Sequence, residues 1–393
     1  MHILQITPTY YPELQFGGPP QKIHALSRGL VRHGHTVTVA TLDSTRPGAA
    51  EQTTMDGVTV QYLPWLGRGP YRWPRRWSRL ANLVRQADVV HSYGLYNLLG
   101  PAGAYFARQA QRPFVLEPLG MYVPRTRKVR LKRLYHRLFT LPMARHAALL
   151  IATSPGELAE LRDLVSDRRL VLRGNGLDLA YYAALPAGDA FRRQHHIPAG
   201  DHLILYIGRI SPIKNLDGLI TAFAAADLPH SHLLLVGPQL EADYARQLQQ
   251  QIAASGLTGR VRLPGPLYDE AKLAALAAAD LLVLPSHYES YGNAAAEAVA
   301  AGLPVLLTES CGIAPLIHRR AGLAVPATPA GLAAGLRTLL TDETARRQNT
   351  QGRAQLLPDL SWEQPLAHMI QLYEQLQPPV MPDPRPAVQT IHS

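Results

Sequence analysis

Apolar and polar positions along the chain follow two alternating patterns. Short apolar runs of strand length recur at ILQIT (3–7), TVTVAT (36–41), VTVQYL (58–63), DVVHSY (88–93), FVLEP (114–118) and ALLIATS (148–154). Helical stretches separate several of them, the first placing Ile23, Leu26 and Leu30 on one face and ending at Gly34. The alternation restarts after LPAGDAFR, around 185–192, with LILYIG (203–208), HLLLVG (232–237), VRLPG (261–265), DLLVLP (280–285) and PVLLT (304–308). Between the first two of these, Leu216, Leu219, Ile220 and Phe223 stand at i, i+3, i+4 and i+7, the buried stripe of a helix. Strands alternating with helices predict parallel sheets. Two such series predict an α/β chain of two Rossmann-like lobes, with ligand held in the cleft at the carboxyl ends of the strands. The expected division is a first lobe over 1–185, a second over 186–360 and an amphipathic closing helix over 361–377. The last stretch, 378–393, has five prolines and no periodicity and is expected to be a disordered tail.

The 393 residues suffice for two domains, and an apolar content of 47% can supply both cores. No apolar run reaches the roughly 18 residues of a spanning helix. The opening MHILQITPTYYP lacks a basic n-region, so no signal peptide is expected. The single cysteine, Cys311, allows no internal disulfide and suits a reducing, cytoplasmic compartment. Charge alters the picture more. Residues 1–185 carry 24 Lys and Arg against 11 Asp and Glu, a net of +13, whereas 186–393 carry 15 against 18, a net of −3. The first lobe should therefore meet something anionic. Two clusters stand out. WLGRGPYRWPRRWSR (65–79) interleaves Trp65, Tyr71, Trp73 and Trp77 with Arg68, Arg72, Arg75, Arg76 and Arg79. RTRKVRLKRLYHR (125–137) holds seven Lys and Arg and no acid, with Leu131, Leu134, Tyr135 and Leu138 on one helical face. Such mixtures suit an anionic membrane surface and, secondly, single-stranded nucleic acid; a core face flanked by solvated charges is the ordinary alternative.

Candidate chemistry gathers in HYESYGNAAAEAVAAGLPVLLTES. Glu289 and Glu297 lie eight positions apart, with Gly292 and Asn293 between them and an alanine-rich stretch that should be helical until Gly302 and Pro304 stop it. Glu289 would then precede a helix and Glu297 lie a turn inside it. The N–H groups from Tyr291 to Ala294 would form an anion cradle. Arg209 and Lys214 follow the strand that ends at Gly208 and precede a helix, which places two cations at a sheet edge. Cations there could stabilise charge on a leaving phosphate. Gly17-Gly18, between the first strand and first helix, would let backbone amides approach a phosphate. An exposed cap, two solvated cations and a plain turn would each explain one of these features alone; their combination favours a site.

The run PSHYESYGNAAAEAVAAGLPVL resembles the signature of retaining GT-B glycosyltransferases of group 1, family 4. LYIGRISPIKNLDGLITAF (205–223) resembles that family's second signature, and FGGPPQKIHALSRGLVRHGHTVTV (16–39) its N-terminal glycine loop and first helix. The resemblance implies GT-B architecture, with Arg209, Lys214 and Glu289 catalytic. It assigns Glu297 to the ribose hydroxyls of a nucleoside diphosphate sugar and Glu289 to the donor sugar. It sets backbone groups of Ser290, Tyr291, Gly292 and Asn293 around sugar and phosphate, and the base against Pro264-Gly265-Pro266-Leu267. It brings Gly17 and Gly18 to the donor phosphates and acceptor, and returns the closing helix onto the first lobe. Retention in such enzymes is described as front-face attack, in which the leaving phosphate helps take the acceptor's proton. No cofactor is implied, and no D-x-D pair exists in the chain, so no metal is expected.

One departure concerns the loop after the fifth strand, where many relatives carry His before Gly-Met. Here the segment reads Glu117-Pro118-Leu119-Gly120-Met121. Leu119 can neither bond a sugar nor move a proton; either that role is absent here, or His91 or Glu117 supplies a polar group with Gly120 beside it, His91 being equally readable as a cleft residue or a buried structural one. The resulting expectation is a cytoplasmic hexosyltransferase, peripheral on the inner face of the membrane, with a lipid-linked or polysaccharide acceptor and no nucleic acid partner. The alternatives are a sucrose- or trehalose-type synthase with a soluble acceptor, and a non-catalytic binder of nucleotide sugar or nucleic acid. A dinucleotide oxidoreductase is disfavoured, because neither lobe opens on G-x-G-x-x-G.

Overall fold

The computed structural model describes residues 1–13, 18–42, 52–66, 72–124, 129–165 and 169–377. Its first sheet contains β1 (His2–Ile6), β2 (Thr36–Leu42), β3 (Gln52–Met55) and β4 (Val58–Leu63). After the short antiparallel pair β5 (Trp65–Leu66) and β6 (Trp73–Pro74), it continues with β7 (Val89–Tyr93), β8 (Phe114–Glu117), β9 (Leu149–Ala152) and β10 (Leu170–Leu172). The spatial order is β10-β9-β8-β7-β1-β2-β4-β3, parallel except for β3. The second sheet holds β11 (His202–Ile207), β12 (Ser231–Val236), β13 (Val261–Gly265), β14 (Leu281–Leu284), β15 (Val305–Thr308) and β16 (Gly322–Val325). Its order is β13-β12-β11-β14-β15-β16, wholly parallel. The two Rossmann-like lobes expected from the sequence are both present.

The apolar runs become strands because both sheet faces are covered by helices, so a continuous run rather than an alternating one is buried. β11 and β12 are examples, with Leu203, Ile204, Leu205, Leu233, Leu234 and Leu235 all at zero exposure. Strand order reverses between β1 and β7 in the first sheet and between β11 and β14 in the second. At such a reversal the helices on either side diverge and leave a crevice at the carboxyl ends of the strands. Gly208 follows β11, and the Glu289 loop follows β14, so the second crevice receives the residues singled out above.

The helix Glu363–Gln375 lies against the first lobe although it follows the second. Leu366, Met369, Leu372 and Tyr373 pack in one core with Ile3, Ile23, Leu26, Leu30 and Val89. Gly29 permits this: a Cβ there would stand 2.7 Å from Leu366 Cδ2. Tyr373 completes the contact through its hydroxyl, 2.7 Å from His91 Nδ1. Of the basic clusters, residues 67–71 and 125–128 lie outside the described residues, as does the 378–393 tail. The described part of the second cluster is the helix Val129–Tyr135, which runs into a π-helical turn, His136–Thr140. Leu131, Leu134 and Leu138 are about half exposed on it, while Tyr135 is turned inward.

Candidate active site

β11 ends at Ile207, and the chain must then turn out of the sheet. Gly208 sits so close to Tyr206 that a Cβ would approach its hydroxyl to 2.6 Å, and Tyr206 in turn donates to the Arg209 carbonyl at 2.8 Å. One 3-10 turn, Pro212–Lys214, follows. Asn215 stops it with φ of 55° and fixes it by donating from Nδ2 to the Pro285 carbonyl at 3.0 Å, just past the end of β14. These bonds aim Arg209 and Lys214 into a cavity of about 480 Å³ between the lobes. There Lys214 Nζ donates to Glu289 Oε2, with both side chains largely buried.

Glu289 is held by its backbone. Its N–H donates to Ser310 O at 3.3 Å and its carbonyl accepts from Gly312 N at 2.9 Å, while Tyr291 O accepts from Ile313 N at 2.7 Å. Gly292 then adopts φ of 112°, which favours glycine, and the helix Asn293–Ala300 begins. Its first residues line the cavity. The first N–H groups of a helix have no intrahelical partner, so this end offers donors and a partial positive charge to an anion. Glu297, one turn further, borders an adjoining pocket of about 150 Å³ together with Gly208, Arg209, Pro266 and Leu267. Its Oε1 accepts from Lys272 Nζ at 3.0 Å. Hydroxyl acceptors, cations and a helix start thus surround connected spaces of a size and polarity that suit a sugar diphosphate.

The first lobe closes the cavity. Gly18 abuts Asn293, where a Cβ would come within 2.6 Å of Nδ2, and Gly120 abuts Ser290, where a Cβ would come within 2.4 Å of Cβ. Leu119 and Gly120 both take left-handed backbone, with φ of 59° and 72°. The conformation costs little at Gly120 and strains Leu119. Glu157 helps hold it: buried among Thr153 N, Thr153 Oγ1 and Gly120 N, it accepts from all three. Burial raises the Glu157 carboxyl above its usual range despite those donors. Leu119 lines the cavity with Met121 and Val123.

Beneath this wall lies a buried ionic cluster. Glu117, at zero exposure, accepts from Lys22 Nζ and, at 2.6 Å, from Arg173 Nη2. Burial would raise its carboxyl, but Arg173 and Lys22 outweigh that and hold it down at about 2. Burial draws the Lys22 ammonium down to about 8 against the pull of Glu117. His91 belongs to this cluster rather than to the cleft. It is fully buried against Tyr93 and Tyr373, with Nε2 3.6 Å from Glu117, and burial lowers it to about 3. The expectation that His91 or Glu117 would present a polar group to substrate is therefore corrected. Residue 91 points from β7 under the closing helix, and Glu117 is saturated by two cations.

The structure brings Gly18, Gly120, Gly208, Arg209, Lys214, Pro266, Leu267, Glu289, Ser290, Tyr291, Gly292, Asn293 and Glu297 together around the cleft. Gly17 lies outside the described residues. Tyr291 lines the cavity, and its hydroxyl donates to Asn175 O at 3.0 Å. Lys272, Lys22, Gln21 and Tyr181, which no sequence motif singled out, also line these spaces. Lys272 carried a faint signal, as a lone cation in an alanine-rich helix; the other three carried none.

Two family models match the chain: glycosyl transferases group 1 over residues 188–355, and glycosyl transferase 4-like domain over residues 17–176. Among curated relatives, a D-inositol 3-phosphate glycosyltransferase of Jonesia denitrificans is 26% identical over 399 residues, covering 91% of each chain. A GDP-mannose:cellobiosyl-diphosphopolyprenol alpha-mannosyltransferase of Xanthomonas campestris is 27% identical over 319 residues, covering 79% of each. Among solved structures, a sucrose-phosphate synthase from Thermosynechococcus elongatus superposes with a TM-score of 0.77 at 23% identity, over 95% of this chain and 98% of the other. Anabaena Alr3699/HepE in complex with UDP-glucose also gives 0.77, at 21% identity, over 95% and 100%. At these identities the structural likeness establishes the fold alone.

Proposed function

Since the chain belongs to the group 1 glycosyltransferases of GT-B architecture, and is a hexosyltransferase on that footing, we propose that it moves a hexosyl group from a nucleoside diphosphate sugar to a lipid-linked or polysaccharide acceptor. The transfer retains anomeric configuration and uses no metal ion. The observation that carries this reading is the convergence of Arg209, Lys214 and the start of the Asn293–Ala300 helix on one cavity, with Glu289 ion-paired to Lys214. In the reaction the bond between the sugar's C1 and the phosphate oxygen breaks, and the acceptor oxygen bonds to C1 on the same face. The acceptor's proton passes to the leaving phosphate. Arg209, Lys214 and the helix N–H groups stabilise the charge that grows on that phosphate, the role a metal plays elsewhere. Glu289 orients the sugar, and Glu297 the ribose.

A nucleotide donor is supported by the relative that uses GDP-mannose and, at the level of the shared fold, by Alr3699/HepE, which was solved with UDP and with UDP-glucose. A lipid-linked acceptor is supported by the cellobiosyl-diphosphopolyprenol of one relative and by the excess positive charge of the first lobe. That charge also supports a peripheral position on an anionic membrane. The test is a hydrolysis screen of the purified protein against nucleoside diphosphate hexoses, in which one donor is expected to be cleaved well above the rest and the anomer released to match the donor's. No cleavage and no binding of any donor would refute the proposal; release of the opposite anomer would refute retention.

A further inference from the structure

Beside the catalytic cavity, within the first lobe, lies a second space that donor chemistry leaves unused. It has a volume of about 230 Å³ and is walled by Leu131, Leu134 and Leu138 on one side and Leu98, Tyr135 and Phe139 on the others. The three leucines are 46%, 51% and 55% exposed, an apolar stripe left uncovered on a helix rich in cations. The groove is built, not incidental. Tyr135 donates to the Asn97 carbonyl at 2.7 Å, and Tyr96 donates to the Met121 carbonyl at 2.8 Å, its hydroxyl also lying 2.9 Å from His136 Nε2. These bonds tie the helix and its π-helical turn to the 96–98 loop, and the turn keeps Leu134, Leu138 and Phe139 on the groove.

The groove opens onto the catalytic cavity. Tyr96 and Lys132 line both, and Lys132 Nζ sits 5.0 Å from the centre of the Tyr96 ring. Past that junction, the apolar side chains of Leu119, Met121 and Val123 continue towards Lys214 and Glu289. An apolar channel leading to a reaction centre, with an ammonium at its neck, matches an amphiphile with a hydrocarbon chain, an anionic group and a sugar or hydroxyl beyond. A soluble sugar acceptor would gain nothing from the leucines.

We propose that this groove takes the hydrocarbon chain of a phosphate-bearing amphiphilic acceptor, with Lys132 meeting its phosphate at the neck. The inference rests on the glycosyltransferase reading and narrows its acceptor to a lipid-linked one. Leu119, in place of a polar residue, then becomes part of the apolar track.

The probes are decyl phosphate and decyl maltoside, titrated calorimetrically into the full chain below their micelle-forming concentrations. UDP and GDP are titrated in parallel. Saturable 1:1 binding of decyl phosphate is expected. Leu134→Asp, at a half-exposed position, should weaken both decyl probes at least 10-fold; Leu138→Asp provides a second such variant. Lys132→Gln should weaken decyl phosphate at least 5-fold and leave decyl maltoside unchanged. The proposal is overturned if decyl phosphate binds only as micelles form, or binds equally well to both Asp variants. It is also overturned if inorganic phosphate binds as tightly as decyl phosphate. A protein that binds UDP or GDP but not decyl phosphate would refute the groove and leave the donor reading standing; one that binds neither would refute both.

Discussion

Asn175 Nδ2 donates to Asn293 Oδ1 at 3.0 Å, so the loop leaving the first lobe is bonded to the first residue of the helix that borders the cleft. The Asn175 carbonyl also accepts from Tyr291. The contact between the lobes is thereby made at the start of the Asn293–Ala300 helix. Asn175→Ala should remove one interlobe bond, worth about 1 kcal/mol, and lower kcat/KM about 5- to 10-fold. Steady-state kinetics and thermal unfolding check this, with Tm expected to move little. Unchanged kcat/KM would show that the bond does not contribute to closure.

Arg209→Ala and Lys214→Ala should each lower turnover at least about 100-fold with the fold intact, because each removes a cation proposed to act on the leaving phosphate rather than on the ground state. Activity should survive EDTA. Loss of activity restored by a divalent ion would overturn the metal-free reading, and near-normal turnover in both variants would remove them from the catalytic group.

Glu297 and Lys272 pair at 3.0 Å where the ribose is proposed to lie. Glu297→Ala should raise the Kd for the free nucleoside diphosphate about 10-fold, on the scale of a charge-assisted hydrogen bond. Calorimetry with the nucleotide alone isolates this from the sugar. An unaltered Kd would place the ribose elsewhere.

How much of this was legible in advance follows from range. The strands of both lobes, Arg209, Lys214, Glu289 and Glu297 could be read because each signal lies within one strand–turn–helix unit. β3 was missed because QTTM is polar, an antiparallel edge strand with one face in water; β10 and β16, also edge strands, are only partly buried and lack a fully apolar, buried run. The cluster around Glu117 could not be read at all. Its partners, Lys22 and Arg173, stand 95 and 56 positions away, and only the fold makes them neighbours. His91 went astray for the same reason, since what covers it is Tyr373, 282 positions on.

That cluster gives a pH prediction. Glu117 titrates at about 2 in the folded protein against 4.5 ordinarily, so the folded state favours the ionised form. Its contribution, on the order of 3 kcal/mol, is fully present above pH 4.5 and fades as pH falls towards 2. Glu117→Gln leaves Lys22 and Arg173 buried without a counter-charge and should destabilise the protein by roughly 3–5 kcal/mol at pH 7. Urea unfolding at pH 7, and in steps from pH 4.5 down to pH 3, measures both. A variant that keeps the parent's full stability at pH 7 would show that the cluster does not hold the first lobe together.

The exposed cations of the Val129–Thr140 region carry the last prediction. Arg130, Arg133 and Arg137 are exposed on the stretch that presents Leu131, Leu134 and Leu138, and none of the three arginines lines the catalytic cavity or the groove. Each cation near an anionic leaflet adds about 1 kcal/mol, screened within a Debye length of roughly 10 Å at 0.1 M salt. The protein should therefore sediment with phosphatidylserine-containing vesicles at low salt and be released at high salt. Replacing Arg130, Arg133 and Arg137 with Gln should lower vesicle partitioning on the order of 100-fold while hydrolysis of the free donor continues, because the groups proposed to hold the donor's phosphates lie mostly in the second lobe. Sedimentation that is indifferent to salt and to these replacements would mean that another surface makes the contact. Tight binding of RNA without vesicle binding would reassign the basic face to nucleic acid.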